Sequence, residues 1–167
     1  MPYTRTMNQG QTGGPRRQTA ARPAAMGERY LRQARADMAA GKAMLVHGTF
    51  FAAAHFSHEA AEKALKAACW HLRAEEPPWS HDLAALAELA GEKPELIPVA
   101  VQTATDLLDA MFERVRYPSG DMSVPIPADL IGEADGLAAL AASEEVLTWV
   151  DQLLRQPPGR ARRERRS

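Results

Sequence analysis

The chain has 167 residues, 46% of them hydrophobic, and a formal net charge of −1, enough for one domain with a buried core and unlike a fibre or a wholly unfolded chain. Its single cysteine, Cys69, excludes an intrachain disulfide and a cysteine-based metal site, and points to a reducing, cytoplasmic setting. No run of about 18 apolar residues occurs, so neither a membrane span nor a secretory leader is expected.

Residues 1–27 are rich in Gly, Gln, Thr, Pro and Arg and lack apolar periodicity. They read as a disordered tail, which Arg5, Arg16, Arg17 and Arg22 make +4. A first helix is predicted from Glu28 to Val46, with Leu31, Ala34, Met38 and Leu45 on one side and Arg29, Arg32, Arg35 and Lys42 on or near the other. Gly41 weakens this helix without breaking it. His47, Gly48 and Thr49 make so short a connection that the next helix must return antiparallel, with Thr49 as its N-cap. That second helix, Phe50 to Leu72, has no Gly or Pro and is dominated by Ala, Leu, Lys and Glu. One stripe, through Phe50, Ala54, Ser57, Ala61, Leu65 and Ala68, is mostly small and apolar. A second carries His55, His58, Glu59 and Glu62, with Lys63 and Lys66 one turn further on.

Pro77 and Pro78 forbid continuation of the helix. Ser80 or Asp82 then caps a short helix bearing Leu83, Leu86 and Leu89, which Gly91 ends. From Val99 to about Arg116 a further helix is expected to bury Val101, Ala104, Leu107, Leu108, Met111, Phe112 and Val115 and to turn Asp106, Asp109 and Glu113 outward. Pro118 stops it, Pro125 and Pro127 bracket a loop, and a last helix from about Ala128 to Leu154 should bury Leu130, Leu137, Leu140, Val146, Leu147, Val150 and Leu154. Residues 156–167, with five arginines against Glu164, form a second disordered tail of +4. The intervening 28–155 domain, holding 11 basic and 20 acidic residues, is therefore −9. Nucleic-acid affinity comes from Lys and Arg neutralising phosphates, so RNA binding, even through the Arg-rich tails, is not favoured. No stretch alternates at period two. The expected fold is all-α, an up-and-down bundle of about five helices, four long or medium and one short.

His55, His58, Glu59 and Glu62 fall at the i, i+3, i+4, i+7 spacing that bundle metal sites use. Such sites also take matching ligands from facing helices, and Asp37, Asp106, Asp109 and Glu113 belong to no Glu-x-x-His pattern. No phosphate-loop or dinucleotide fingerprint is present. Cys69, in mid-helix, reads as a small buried residue and not as a nucleophile. No catalytic residue, metal site or cofactor is assigned.

Three short motifs, AAEKALKA at residues 60–67, SHDL at 80–83 and RYP at 116–118, resemble in their order and spacing the prokaryotic HEPN domain family. The segments ERYLRQARADMAAGKAML and VLTWVDQLL are similar to that family's opening and closing helices, so the resemblance spans about residues 28–155. It implies a helical bundle, commonly a homodimer, associated with nucleotide or RNA binding, with toxin–antitoxin and other defence systems, and with a small nucleotidyltransferase-like partner. Active HEPN ribonucleases share R-x4-6-H near the start of the last long helix, where Arg orients phosphate and His moves a proton. The histidines here are His47, His55, His58, His71 and His81, and none has an Arg five to seven positions before it.

The expected function is a non-enzymatic HEPN-type module that binds a nucleotide or a protein partner. Its expected binding residues are His58, Lys63, Lys66, His81, Arg114, Arg116 and Tyr117, facing a nucleotide's phosphates or a partner's carboxylates. The alternatives are a ribonuclease toxin with a displaced site, pairing His58 or His81 with Arg116, and a purely structural interaction bundle. In the plainest reading Glu62–Lys66 is a helix-stabilising pair and Arg116 complements a helix dipole.

Overall fold

The computed structural model describes residues 18–91 and 93–155; the expectations for residues 1–17 and 156–167 lie outside the described residues. Helices α1 (Gln18–Val46) and α2 (Phe50–Arg73) form the antiparallel hairpin. α1 starts ten residues before the expected Glu28 and runs through Pro23. Length accounts for part of this. The 24 residues of α2 span about 36 Å, and a helix lying against it from Val46 reaches as far at Pro23. Gly27 lies near the far end of α2, where a Cβ would stand 3.3 Å from the Ala67 carbonyl oxygen and 3.5 Å from Trp70 Cβ. Gly41, fourteen residues on, would meet the Ala53 carbonyl oxygen at 3.3 Å. With Ala34 fully buried between them, these small residues let the two backbones approach closely.

Gly48 turns the chain in the left-handed region, with φ +72°, and backbone hydrogen bonds from Gly48 to Leu45 and from Thr49 to Met44 close the connection. The Thr49 side chain, contrary to expectation, makes no cap bond. Its φ of −95° and ψ of 70° depart from the extended geometry that aims an N-cap hydroxyl at the first turn. At its other end α2 finishes on Ala74, held at φ 56° with its N–H bonded to the Trp70 carbonyl. Glycine carries no Cβ penalty there, so Ala74→Gly is expected to stabilise the protein by about 1 kcal/mol, read as a higher urea midpoint.

The chain continues through α3 (Leu83–Gly91), a 3₁₀ turn at Pro94–Leu96, α4 (Val99–Met111), the four-residue α5 (Pro127–Leu130) and α6 (Glu133–Leu154). The described residues contain no strand, and no helix among them is long and apolar enough to cross a membrane. The all-α bundle expected from periodicity is thus observed, with two boundary corrections beyond that of α1. α4 ends at Met111, and residues 112–116 form successive turns. The last helix is interrupted at Ile131–Gly132, and α6 restarts where the Asp135 carboxylate accepts the Gly132 N–H at 3.0 Å.

α2 is the centre of the bundle, touching α1, α3, α4, α5 and α6. It is buried on nearly every side, with Ala53, Ala54, Ala60, Ala61, Ala64, Leu65, Ala67 and Ala68 all at or near zero exposure. Around it lie Leu83, Leu86, Val101, Leu108, Val146 and Val150. Leu137, expected in the core, is half exposed. α6 instead turns inward Gly136, Ala139, Ser143, Val146 and Val150, because the space beside Leu45 and Phe50 admits only a small residue: a Cβ on Gly136 would come to 3.0 Å from Leu45 Cδ1. Trp149 is also buried, against Gly91.

Candidate functional site

α2 directs its polar stripe at α1 and at the turns that follow α4, and there it becomes a chain of alternating charges. Lys63 Nζ lies 2.8 Å from Asp37 Oδ2 on α1 and 2.6 Å from Glu59 Oε2. The other Glu59 oxygen accepts from Arg116 Nη2 at 2.7 Å, while Arg116 Nη1 donates to the Phe112 carbonyl at 2.9 Å. Alongside, Lys66 Nζ donates to Glu62 Oε1 at 2.7 Å, and Glu62 Oε2 meets His81 Nδ1 at 2.8 Å. Burial alone would push the Glu59 carboxyl up, but the hydrogen bonds and charges of Lys63 and Arg116 outweigh it and hold the group at about 2. Burial would likewise lower Lys63, yet its bonds to Asp37 and Glu59 raise it.

Phe112 is the aromatic hub. The Arg116 guanidinium stands 3.9 Å from its ring centroid, His58 is tilted against it at 4.8 Å, and His81 stacks on it at 5.3 Å. Trp79 meets His81 edge-on at 6.4 Å and lies 5.8 Å from Lys66 Nζ. His58 is fully buried without a hydrogen bond to either ring nitrogen, and its Nε2 is 3.5 Å from Asp109 Oδ1. Burial, then Arg116, depresses the pKa of neighbouring His55. Burial pushes the Cys69 thiol up to about 11, which leaves it unreactive at neutral pH.

Asp109, expected to face solvent, points inward. Its carboxylate accepts the N–H groups of Leu83 and Ala84 at 3.0–3.1 Å, while Asp82 takes the Ala85 N–H at 2.8 Å. The first turn of α3 is therefore capped from α4 as well as from its own sequence, and the negative charge suits a helix N-terminus. Asp109→Ala is expected to lower stability by about 2 kcal/mol, with faster amide exchange at Leu83 and Ala84. Unchanged exchange at those two amides would refute the cap.

Of the seven residues expected to bind, His58, Lys63, Lys66, His81 and Arg116 come together. Arg114 and Tyr117 are exposed, with no side-chain hydrogen bond or salt bridge among the described residues. What the sequence did not supply were the partners Asp37 and Phe112 and the role of Glu59 as the link between Lys63 and Arg116. The i,i+4 spacing of Glu59 and Lys63 was the one local signal. His58, Glu59 and Glu62 could each turn one atom toward a common ion, all within 4.8 Å of one another. Yet all four carboxylate oxygens already accept from Lys63, Arg116, Lys66 or His81, so a metal would compete with three cationic side chains.

Fold and site together define a small all-helical bundle whose central alanine-rich helix presents a charge-paired seam to the turns after its fourth helix. The HEPN domain family matches residues 28–153, and the chain belongs to that family. Among solved structures it is similar to TT1696 from Thermus thermophilus, at 25% identity and a TM-score of 0.65, over 77% of this chain and 98% of that one. It shares its fold with ST0689, an archaeal HEPN homologue, at 22% identity and a TM-score of 0.63, again over 77% and 98%. No curated protein matches it.

Proposed function

We propose that this chain is a non-enzymatic HEPN-type module that acts by binding a protein partner, with a nucleotidyltransferase-like protein or a second copy as the partners the family leads one to expect, in a toxin–antitoxin or defence setting. The observation that carries the reading is the Glu59–Arg116 pair. Arg116, the arginine most suited to a phosphate, has an 11% exposed side chain and a guanidinium already taken by a carboxylate at 2.7 Å and a carbonyl at 2.9 Å. Lys63 and Lys66 are committed in the same way. A nucleotide's phosphates would have to displace these carboxylates, whereas a protein surface can leave the network intact.

The convergence of His58, His81 and Arg116 on Phe112 favours one rival, a ribonuclease with a displaced site. Purified protein incubated with tRNA and mRNA is expected to leave both intact. Cleavage that disappears in Arg116→Ala would overturn the binding reading in favour of that rival. Calorimetry with ATP and GTP is expected to give no heat at millimolar ligand; binding abolished by Lys63→Ala would return the nucleotide to first place. Sedimentation tests whether the partner is a second copy.

A further inference from the structure

From the ring contacts and the charges around them, we infer that the run from Trp79 through His81 and Phe112 to Arg116 is a docking face for an arginine-rich segment of a protein partner. This inference rests on the protein-binding reading above. Trp79, His81, Phe112 and Arg116 form one continuous run of ring and guanidinium contacts, and Tyr117 follows Arg116 directly in the chain. One end of the run stands in water, with Trp79 at 94% exposure, and Tyr117, the residue after Arg116, is 66% exposed. Tryptophan and tyrosine are the ring types on which binding energy at interfaces concentrates.

The chemistry of the run selects the partner. A cation already stands against the ring at each end of it, since Lys66 lies 5.8 Å from the centroid of Trp79 and Arg116 3.9 Å from that of Phe112. Trp79 is the open end of that series, and a guanidinium is the cation that stacks best on such a ring. The acids around the run supply the second half of the match. Glu75, Glu76 and Asp82 flank Trp79, and Glu113 precedes Tyr117 by four residues. All four are exposed, and none makes a salt bridge among the described residues. Lys66 and Arg116 are already paired with Glu62 and Glu59, which leaves the half-buried Arg73 and the exposed Arg114 against these four acids. A ring that stacks guanidinium beside carboxylates that pair with it in fork geometry distinguishes arginine from lysine, as acids alone would not.

The test uses the full chain with hexa-arginine and hexa-lysine peptides, followed by tryptophan fluorescence and calorimetry. Trp70 and Trp149 are each 6% exposed, so Trp79 is the ring that reports. Hexa-arginine is expected to change the emission saturably and to bind about fivefold tighter than hexa-lysine. Trp79→Ala, at an exposed position that leaves the fold alone, should weaken calorimetric binding about tenfold. The combined variant Glu75→Gln, Glu76→Gln, Asp82→Asn should weaken it to a similar degree. Equal affinity for the two peptides, or binding untouched by Trp79→Ala, would overturn the inference. So would a dimer in sedimentation that Trp79→Ala dissolves, which would give the face to a second copy. RNA cleavage lost in Arg116→Ala would defeat the protein-binding reading itself; intact RNA together with failed peptide binding would defeat only this docking face.

Discussion

Glu59→Gln is expected to destabilise the fold by about 2 kcal/mol at neutral pH, below the roughly 3–5 kcal/mol that breaking a fully buried ion pair costs, because the Glu59 side chain is 26% exposed. Glutamine fills the same space but cannot do the same work. One carboxylate oxygen faces Lys63 and the other Arg116, both donors only. An amide must therefore present its own NH₂ to one of these cations, leaving a donor against a donor. Arg116, 11% exposed, would keep only the Phe112 carbonyl and ring. The pH dependence identifies the cause. The Glu59 carboxyl titrates at about 2 in the fold against 4.5 for the unperturbed group. A depressed folded value gives stability that is present above the unfolded pKa and lost as pH falls toward the folded one. Urea midpoints of the wild type should thus converge on those of Glu59→Gln between pH 4.5 and pH 2. A gap that stays constant down to the folded value would show that Glu59 does not act as a charged partner.

Leu65→Ala is expected to cost about 4 kcal/mol, or about 12 °C in the thermal midpoint. Leu65 is fully buried on the central helix, and its neighbours along the same helix are Ala61, Ala64 and Ala68, all at zero exposure. Alanines have no side-chain freedom with which to fill the void, so little relaxation offsets the lost contacts. Leu65→Met, which conserves volume, should cost under about 1.5 kcal/mol. Similar losses for the two substitutions would mean that shape, and not the cavity, sets the penalty.

How far the fold could be read from the chain differs by element. The apolar stripe of α2 and the break at Pro77–Pro78 are local chemistry, and each appears where periodicity and proline geometry put it, whereas α4 ends at Met111, well before the stop expected at Pro118. The α1 boundary was not legible, because the extension of α1 before Glu28 packs along α2, with Gly27 against Ala67 and Trp70, a contact made across the hairpin and not within the segment's own periodicity. The single helix expected over residues 128–154 proved to be two, separated at Ile131–Gly132. Asp109 shared a predicted outer face with Asp106 and Glu113; those two are exposed, while Asp109 is drawn to the N-terminus of a helix 26 residues away in sequence.

For the candidate site the division is sharper. The sequence by itself determined that this is an all-α chain of the HEPN family, which residues carry charge, and that no arginine stands at ribonuclease spacing before a histidine. These follow from spacing within a few residues, which helix geometry converts directly into faces. Only the tertiary structure decided what the charges do. Arg116 reaches Glu59 across 57 residues, and Lys63 bridges α2 to Asp37 on α1. Such pairings depend on how each helix is rotated about its axis and how closely two backbones approach. Those quantities are set by the packing of Gly27, Ala34, Gly41 and Gly136 against their neighbours, because close-packed side chains allow only one fit.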